Sequence, residues 1–321
     1  MGKFPLVSII IPTFNRVQII KSTLDSVIKQ GYVNWECLVI DDGSEDATLN
    51  VLRSYQKQDD RIHYYERKRA PKGAPTCRNI GLKYAKGDYI IFLDSDDCLL
   101  PFCLERRIEM FAQYPECDFL VFPMGIKHKN GIVKKEMLTD QSFLIEFLSA
   151  NLPWSIMCPI WRKSKLIGLN GFTEGYPRFN DPELMIRALL KKDIVFKVFN
   201  KLDYDTVYVP SPKNENLFIE KVYKSMILFI PDICNAMQIN TNVKNKKHLS
   251  NYLHLWFKYF YVPLRNNEMK RSLHLIVLFY REGIISLSKF LSLLLRLFLF
   301  VGTNLFLKEP IIKLTDKSFY N

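Results

Sequence analysis

The first hundred residues alternate short apolar runs with stretches of helical periodicity. Runs at 7–11, 37–40 and 62–65 are typical of buried parallel strands, and a fourth such run ends at Asp94. Strands that alternate with helices at this rhythm predict a doubly wound, mostly parallel sheet with right-handed crossovers. Helices are predicted between the strands at 15–31, 46–58 and 76–87. In such sheets, ligands bind beyond the carboxyl ends of the strands.

Three carboxylates within four residues follow the fourth strand. The sequence there is GDYIIFLDSDDCLLP, in which Asp94, Asp96 and Asp97 stand where the strand would reach solvent. Like charges so close together repel, and a fold that keeps them commonly supplies a cation. Oxygen ligands suit a hard divalent ion such as Mg²⁺ or Mn²⁺, which in turn would hold a phosphate. A solvated turn is the alternative, because Asp favours turns.

A second acidic pair, Asp41 and Asp42, follows the second strand in the sequence Asp-Asp-Gly-Ser. Because the carboxyl ends of parallel strands share one edge of a sheet, this pair is predicted to lie at the same site as the cluster after Asp94. A simple Asp-Gly turn is the alternative for the pair taken alone.

The net charge of +12 favours anionic partners such as nucleoside diphosphates or acidic lipid. No dense basic stripe with interleaved aromatic residues occurs, so nucleic acid is not expected as a partner. The seven cysteines form no CxxC pair and no zinc spacing, which indicates reduced thiols in a cytoplasm. The apolar run at the start is too short for a signal peptide, so we expect the chain to begin with a strand in the cytosol.

The middle of the chain continues the alternation and then becomes helical. Strands are predicted near 118–122 and 155–161, and Asn130-Gly131 predicts a hairpin between them. Asp181 followed by Pro182 introduces a helix with apolar residues at helical spacing. Beyond residue 212 the sequence is rich in Leu, Phe and Tyr and reads as helical throughout.

Four ordered segments resemble the family 2 glycosyltransferases, the nucleotide-sugar enzymes of the GT-A fold. They are VSIIIPTFNR at 7–16, LVIDDGSEDAT at 38–48, CRNIGLKYAKGDYIIFLDSDD at 77–97 and NDPELMIRALLK at 180–191. The match covers roughly the first 200 residues in order. The resemblance implies an α/β GT-A fold with a helical C-terminal extension. It also implies inverting transfer of a sugar from a nucleotide-diphosphate donor.

The resemblance also implies nucleotide-binding roles for residues near the strand ends. Thr13 and the adjacent backbone would line the base and ribose pocket, and Asp41 would accept a charge-assisted hydrogen bond from the uracil imide. Arg78 would lie near the nucleotide or the acidic cluster, and Asp94 would contact the ribose or the metal region. The full set implied to bind the nucleotide is Pro12, Thr13, Asn15, Asp41, Asp42, Arg78 and Asp94.

The metal and the catalytic base are implied in the same way. Asp96 would ligate a Mg²⁺ or Mn²⁺ ion that bridges the diphosphate, with Asp97 as a weaker candidate. Asp181 would be the general base that takes the proton of the acceptor hydroxyl. The alternative for Asp181 is a helix N-cap, since Pro182 would then occupy the first helical position. Asn180 stands where the family commonly has Glu.

The resemblance suggests a division of the chain into two regions. A GT-A catalytic domain is predicted at 1–210, with a nucleotide-binding half at 1–105 and an acceptor half at 106–210. The remainder, 211–321, is predicted to be a helical C-terminal region. It contains a strongly apolar segment at 284–307.

Four polar residues of this apolar segment, Lys289, Ser292, Arg296 and Thr303, fall on one narrow helical stripe. A membrane-spanning helix needs about 20 apolar residues, and a central Arg costs a few kcal/mol. The pattern instead predicts an amphipathic helix that lies in a membrane interface, with its basic residues reaching headgroups. Packing on the catalytic domain or on another subunit is the alternative.

Taken together, these features predict a cytoplasmic, metal-dependent glycosyltransferase, peripheral at the inner face of the cytoplasmic membrane. The donor is predicted to be a UDP-sugar and the acceptor a saccharide or a lipid-linked saccharide, in surface polysaccharide or lipooligosaccharide biosynthesis. The alternative is a catalytically silent nucleotide-sugar-binding or scaffold protein on the same fold.

Overall fold

The computed structural model describes residues 5–210, 215–260 and 268–306, and the chain divides into two compact units. The first unit comprises Met1–Thr139, Pro153–Leu184 and Lys191–Lys213. The second unit comprises Asp140–Leu152, Met185–Leu190 and Asn214–Asn321.

The strands of the described residues all belong to the first unit. They are β1 (Val7–Thr13), β2 (Trp35–Asp41), β3 (Ile62–Glu66), β4 (Tyr89–Phe92), β5 (Cys98–Leu99), β6 (Phe119–Val121), β7 (Met124–His128), β8 (Gly131–Lys134), β9 (Pro159–Arg162), β10 (Phe196–Val198) and β11 (Thr206–Tyr208).

Seven of these strands form the large sheet, in the order β10-β6-β9-β4-β1-β2-β3. The pairs β1–β2, β1–β4, β2–β3 and β10–β6 are parallel, as predicted, because apolar runs such as VSIIIPT bury both faces. The strand expected at 155–161 is β9, which runs antiparallel between β4 and β6. The other four strands form a smaller sheet in the order β5-β11-β7-β8.

Helices connect the strands and make up most of the second unit. In chain order they are α1 (Ile20–Ile28), α2 (Thr48–Gln58), α3 (Ala74–Tyr84), α4 (Cys103–Gln113), α5 (Phe143–Leu148), α6 (Lys163–Gly168), α7 (Asn180–Leu190), α8 (Glu215–Ile239), α9 (Ser250–Leu255), α10 (Glu268–Arg281) and α11 (Leu287–Phe306). A 3₁₀ helix at Val243–Leu249 and a π-helical turn at Trp256–Phe260 flank α9.

The crossover helices pack closely on the strands of the large sheet. Gly81 of α3 lies against Ile10 of β1, where an added Cβ would be 2.4 Å from Ile10 Cγ2. Gly87, in the turn from α3 to β4, lies against the backbone of Ser8. This turn is also tied by Glu36, which accepts hydrogen bonds from Ser8 Oγ at 2.6 Å and from the Gly87 N–H at 3.3 Å. These contacts hold the turn that leads into β4 against β1.

A hairpin joins β7 to β8 where the Asn130-Gly131 pair predicts one. His128 pairs with Gly131 across the turn, and Gly131 has a φ of +133°. Trp154 and Trp161 are both buried, and Trp161 stacks on Phe119 with ring centroids 4.2 Å apart. The two tryptophans therefore serve in packing.

The second unit has its own core. The hydroxyl of Tyr252 donates to the Phe147 carbonyl over 2.9 Å, and the indole N–H of Trp256 donates to Ser272 Oγ over 2.9 Å. In the parts of the chain that the structure describes, no helix has the length and apolar content that crossing a bilayer would require.

Candidate active site

A backbone hydrogen bond joins the ends of β1 and β2 at the carboxyl edge of the large sheet. The N–H of Asp42 donates to the Thr13 carbonyl over 2.8 Å, just beyond the ends of the paired strands. Asn15 has a left-handed backbone with φ 52°, and its side-chain oxygen accepts from the Glu45 N–H at 2.8 Å. Its own N–H donates to Ser44 Oγ over 2.9 Å. Asn15 therefore shapes this edge. The helix predicted from residue 15 begins at Ile20 instead.

Pro12 and Thr13 end β1 at the same edge, and both are buried. Among the described residues, the Thr13 hydroxyl has no hydrogen-bond partner. A buried polar group without a partner costs about 1–3 kcal/mol. This hydroxyl is therefore suited to meet a ligand, and its nucleotide contact stays a prediction.

The carboxylate of Asp41 accepts three hydrogen bonds from the turn that follows β2. Its Oδ2 accepts from the N–H groups of Gly43 and Ser44 at 2.9 and 2.8 Å. Its Oδ1 accepts from the Ser44 hydroxyl at 2.5 Å, and the side chain is completely buried. The structure gives Asp41 a turn-forming role, while the predicted contact with a base is untested.

Asp42 holds the basic loop that follows β3. Its Oδ1 accepts from Arg67 Nε at 2.5 Å and from the Gly73 N–H at 3.1 Å. Arg69 in the same loop donates two hydrogen bonds of 2.6 Å to the carboxylate of Glu174. These contacts fix a cationic segment beside the strand ends, which is where a phosphate would be attracted.

Asp94 and Asp96, after β4, have different cationic partners. Asp94 Oδ1 accepts from Arg78 Nη2 at 2.6 Å. Asp96 Oδ2 lies 3.4 Å from Arg16 Nη2, and both of these side chains remain partly exposed. The acidic cluster is therefore partly neutralised by two arginines from other segments of the chain.

Asp97, the third carboxyl of the cluster, is fully buried. Its Oδ1 accepts from the Val209 N–H at 2.9 Å, just beyond β11, and its Oδ2 has no partner within the described residues. Desolvation, followed by the nearby carboxylates of Asp94 and Asp96, raises the pKa of Asp97 to about 8. A carboxyl that is protonated at neutral pH is a weaker cation ligand than an ionised one. Its metal role stays a prediction.

Arg78 joins two parts of the site that are far apart in the sequence. Its side chain is 3% exposed. Nη2 donates to Asp94, while Nη1 donates to Asp181 Oδ1 over 3.0 Å and also to the side-chain oxygen of Asn180. The guanidinium carbon lies 5.1 Å from the centroid of the Phe172 ring. The predicted base and the acidic cluster are thus held by one buried cation.

Asp181 lies in the first turn of α7, one residue after the helix begins. Phe179, with φ 61°, precedes the helix, and its carbonyl accepts the Glu183 N–H at 3.0 Å. The helix therefore begins at Asn180 and not after Asp181. Asp181 lies inside the first turn and is not the N-cap. The buried carboxylate of Glu183 accepts from the Thr173 hydroxyl at 2.9 Å. Asp181 remains the more accessible of the two acids, with its side chain 32% exposed.

The charges around Asp181 tune its proton affinity. Desolvation and the neighbouring Asp94 carboxylate raise the pKa of Asp181, against the lowering effects of Arg78 and Arg178. The net shift is upward from its usual range. A raised pKa suits a general base, because a base works best with a pKa near the working pH.

Arg16 and Arg178 are charged residues of this site to which the sequence interpretation assigned no role. Arg16 pairs with Asp96, and Arg178 lies within electrostatic range of Asp181 and Tyr208. The position of Arg16 at the end of the VSIIIPTFNR segment was the available signal. No spacing rule pointed to Arg178.

The residues at this edge fit a divalent ion held mainly by a substrate. In the described part of the chain, no three His, Cys, Asp or Glu side chains gather to form a metal cage. Mg²⁺ bound together with phosphates needs only one or two carboxylates from the protein. Asp96 and Asp94 present partly exposed carboxylates at this edge, and their metal role stays a prediction.

Residues 8–164 match the family model described as "Glycosyl transferase family 2". Residues 8–164 form a glycosyl transferase family 2 domain. The family resemblance seen in the sequence is thereby confirmed, and the matched range includes every predicted site residue except Asp181.

Two curated relatives share the glycosyltransferase description. "UDP-Glc:alpha-D-GlcNAc-diphosphoundecaprenol beta-1,3-glucosyltransferase WfgD" of Escherichia coli is 42% identical over 130 residues, which is 40% of this chain and 50% of the relative. "GalNAc(5)-diNAcBac-PP-undecaprenol beta-1,3-glucosyltransferase" of Campylobacter jejuni is 26% identical over 261 residues, 77% of this chain and 80% of the relative. The chain spans only half the length of WfgD in this match.

The fold also matches solved structures. TarS residues 1–349 of S. aureus, in a complex with UDP-GlcNAc, superposes with a TM-score of 0.66 at 19% identity. The superposition covers 91% of this chain and 87% of that one. The predicted fold class, a mostly parallel α/β GT-A fold with helices at the C-terminal end, is confirmed by this likeness together with the strand order.

Proposed function

We propose that the chain is an inverting glycosyltransferase that moves a sugar from a nucleotide-diphosphate sugar to a saccharide or lipid-linked acceptor. The observation that carries this proposal is the link through Arg78, which holds Asp181 and Asp94 on one guanidinium. A base candidate and an acidic, phosphate-directed cluster thus lie side by side. Inverting transfer needs a base for the acceptor hydroxyl and stabilisation of the charge that develops on the leaving diphosphate.

Each side chain would have a distinct part in the reaction. Asp181, partly exposed and with a raised pKa, would accept the proton of the acceptor hydroxyl as that oxygen attacks the anomeric carbon. Arg78 would hold the Asp181 carboxylate in place through the attack. Because a single displacement by one acceptor oxygen inverts the anomeric centre, no covalent sugar–enzyme bond is needed.

The donor would bind along the carboxyl ends of β1, β2 and β4. The nucleoside would lie near Thr13 and Asp42, and the diphosphate would lie toward Asp96. Asp96 would hold a Mg²⁺ or Mn²⁺ ion, with Asp94 beside it, and the bound ion would neutralise charge on the leaving nucleoside diphosphate. Asp42 would hold the basic loop containing Arg67 beside the bound donor.

The choice of a UDP-sugar and a lipid-linked acceptor is supported by the named relatives. WfgD is described as using UDP-Glc and a diphosphoundecaprenol-linked sugar, and the C. jejuni relative is named for an undecaprenol-linked acceptor. The TarS structure was obtained with UDP-GlcNAc. A lipid-linked acceptor in surface polysaccharide assembly would bring this chain to the cytoplasmic face of the membrane.

A donor screen tests the proposed function. The full chain is incubated with UDP-, GDP- and dTDP-sugars, Mg²⁺ or Mn²⁺, and prenyl-diphosphate-linked acceptors, and release of nucleoside diphosphate is measured. The same reactions are run with Asp181→Asn, Asp96→Asn and a control, Asp60→Asn, which changes an exposed acid before β3. We expect turnover with a UDP-sugar in the parent and the control, and its loss in the other two variants.

The alternative, a catalytically silent nucleotide-sugar-binding protein, predicts binding of the donor without turnover. Such a protein would bind UDP or a UDP-sugar in calorimetry, yet release no diphosphate with any donor and acceptor pair. Turnover that Asp181→Asn and Asp96→Asn leave unchanged would contradict the proposed residue roles.

A further inference from the structure

Asn79 follows Arg78 on α3, and its partly buried side chain binds a loop that is distant in the sequence. Its Nδ2 donates to the Phe172 carbonyl over 2.9 Å and to Glu174 Oε1 over 2.8 Å. Its Oδ1 accepts from the Phe172 N–H at 2.8 Å. One amide therefore holds both ends of the tripeptide 172–174, which we call the anchor segment.

The surroundings of the anchor segment favour these contacts. Gly171, which precedes the segment, has a φ of +60°, and a Cβ there would run into Asn79 Oδ1. Hydrogen bonds from Arg69 lower the pKa of Glu174, desolvation opposes them, and the bond from Asn79 adds to the lowering. Glu174 is therefore an ionised acceptor, and hydrogen bonds to an ionised group are stronger than neutral ones.

The middle residue of the anchor segment binds the helix that carries Asp181. The hydroxyl of Thr173 donates to Glu183 Oε1 over 2.9 Å, and Glu183 is buried. Glu183 lies in the first turn of α7, two residues after Asp181. A loosened anchor segment would therefore loosen the start of α7.

Phe172 connects the anchor segment to Asp181 by a second route. Its ring packs edge-on against Phe92 with ring centroids 4.9 Å apart, and the guanidinium carbon of Arg78 lies 5.1 Å from its centroid. The same guanidinium donates to Asp181. Two consecutive residues of α3 thus hold Asp181, Arg78 directly and Asn79 through the loop that precedes α7.

We propose that Asn79 is a positioning residue for Asp181 and acts through the anchor segment. The inference rests on the proposed role of Asp181 as general base. A base must lie within hydrogen-bond reach of the proton that it takes, and a small displacement of the base lowers kcat. The proposed donor contacts lie at the ends of β1, β2 and β4, so the affinity for the donor should not depend on Asn79.

Hydrogen exchange of the full chain without substrate tests whether the anchor segment holds the start of α7. The probe is the Glu183 N–H, which donates to the Phe179 carbonyl over 3.0 Å. In Asn79→Ala and in Thr173→Val this N–H should exchange about three- to tenfold faster, because hydrogen bonds of the anchor segment are lost. Thr173→Ser keeps the hydroxyl and should exchange like the parent. Exchange of the buried β1 amides in the same samples separates local loosening from global unfolding.

Turnover measures the consequence for the base. With an active donor and acceptor pair, kcat of Asn79→Ala should fall by about ten- to a hundredfold, while KM for the nucleotide sugar stays within about twofold of the parent. Thr173→Val should lower kcat in the same direction, and Thr173→Ser should not. Lys83→Ala changes an exposed residue of the same helix and is the matched control, with the kcat and exchange of the parent. The Thr173 pair decides the question on its own if Asn79→Ala does not fold.

Three results would overturn the inference. The first is parent-like exchange of the Glu183 N–H in both Asn79→Ala and Thr173→Val. The second is equal exchange in Thr173→Ser and Thr173→Val, and the third is a kcat of Asn79→Ala within about twofold of the parent. A parent that turns over no donor would instead contradict the proposed function, and the exchange comparison would still decide whether Asn79 holds the segment that carries Asp181.

Discussion

Arg78 and Asp181 are 103 residues apart in the sequence, and the guanidinium Nη1 of Arg78 lies 3.0 Å from Asp181 Oδ1. The same buried guanidinium binds Asp94, so two acids of separate segments share one cation. Without this guanidinium between them, the carboxylates of Asp94 and Asp181 would repel each other. The ion triad places a prospective base beside the acidic end of β4.

The first prediction concerns the pH dependence of transfer in an Arg78→Lys variant. The base must be ionised, so activity falls as the pH drops through the raised pKa of Asp181. Replacing the forked guanidinium weakens one of the contacts that lower this pKa, so the acidic limb of the kcat profile should move to higher pH. The measurement is kcat against pH for the parent, Arg78→Lys and the exposed control Arg53→Lys.

A purely structural role for Arg78 predicts a different kcat profile. Partial unfolding would lower the maximum kcat but leave the pH of the acidic limb unchanged. An unshifted limb in a well-folded Arg78→Lys protein would therefore contradict the positioning role.

The second prediction concerns the divalent ion. Asp96→Asn should weaken the binding of UDP in the presence of Mn²⁺ while leaving its binding with chelator unchanged, because only the ion-mediated part of the affinity is lost. Titration calorimetry with UDP, with Mn²⁺ or with EDTA, measures this. Asp60→Asn serves as the control, and equal Mn²⁺ enhancement in Asp96→Asn and the parent would show that Asp96 is not the ligand.

The third prediction concerns the buried ion pair between Arg107 and Asp205. Nε and Nη2 of Arg107 bind the two carboxylate oxygens at 2.9 and 2.7 Å, and both side chains are completely buried. Removing one partner leaves an uncompensated buried charge, so Arg107→Met or Asp205→Leu alone should lower the free energy of unfolding by about 3–5 kcal/mol. Urea denaturation measures the loss.

The double variant Arg107→Met/Asp205→Leu provides the comparison for that pair. Because it removes both charges, it should cost less than either single change. Single variants that are as stable as the parent, or a double variant that costs the sum of the two, would contradict this account.

The fourth prediction concerns the close approach at Gly87. A Cβ there would lie 2.7 Å from the Leu6 carbonyl oxygen and 2.7 Å from the Ser8 backbone N, which cannot move without shifting β1. Gly87→Ala should therefore destabilise the fold by about 1–3 kcal/mol. Gly168→Ala is the control, since a Cβ at Gly168 would meet nothing within 4 Å. The comparison is made by thermal or urea unfolding, and equal stability of the two variants would refute the packing argument.

The strand ends of the fold could be predicted from the sequence, because apolar runs mark parallel strands and parallel strands share one carboxyl edge. That rule alone brings the ends of β1, β2 and β4 together. It could not show that β9 enters the sheet antiparallel, since a run of apolar residues has no direction. Nor could it show that Asp97 is buried and accepts a hydrogen bond from the N–H of Val209, which lies 112 residues away in the sequence.

The detailed roles of the acids depended on tertiary contacts. The sequence offers Asp41 either as a contact to a base or as part of an Asp-Gly turn. Its carboxylate binds the Gly43 and Ser44 turn, and the contact with a base stays a prediction. The resemblance places Arg78 near the nucleotide or the acidic cluster, but only the structure shows that its buried guanidinium links Asp94 to Asp181. Local patterns do not report such long-range pairings.

The most direct measurement of the central claim is the turnover of Asp181→Asn with an active donor and acceptor pair. The substitution keeps the shape of the side chain and removes the base. The account predicts that kcat falls by about 10²- to 10⁴-fold while the dissociation constant for the nucleotide sugar stays near that of the parent. A kcat within about twofold of the parent, in a variant that binds donor normally, would contradict the claim that Asp181 is the base.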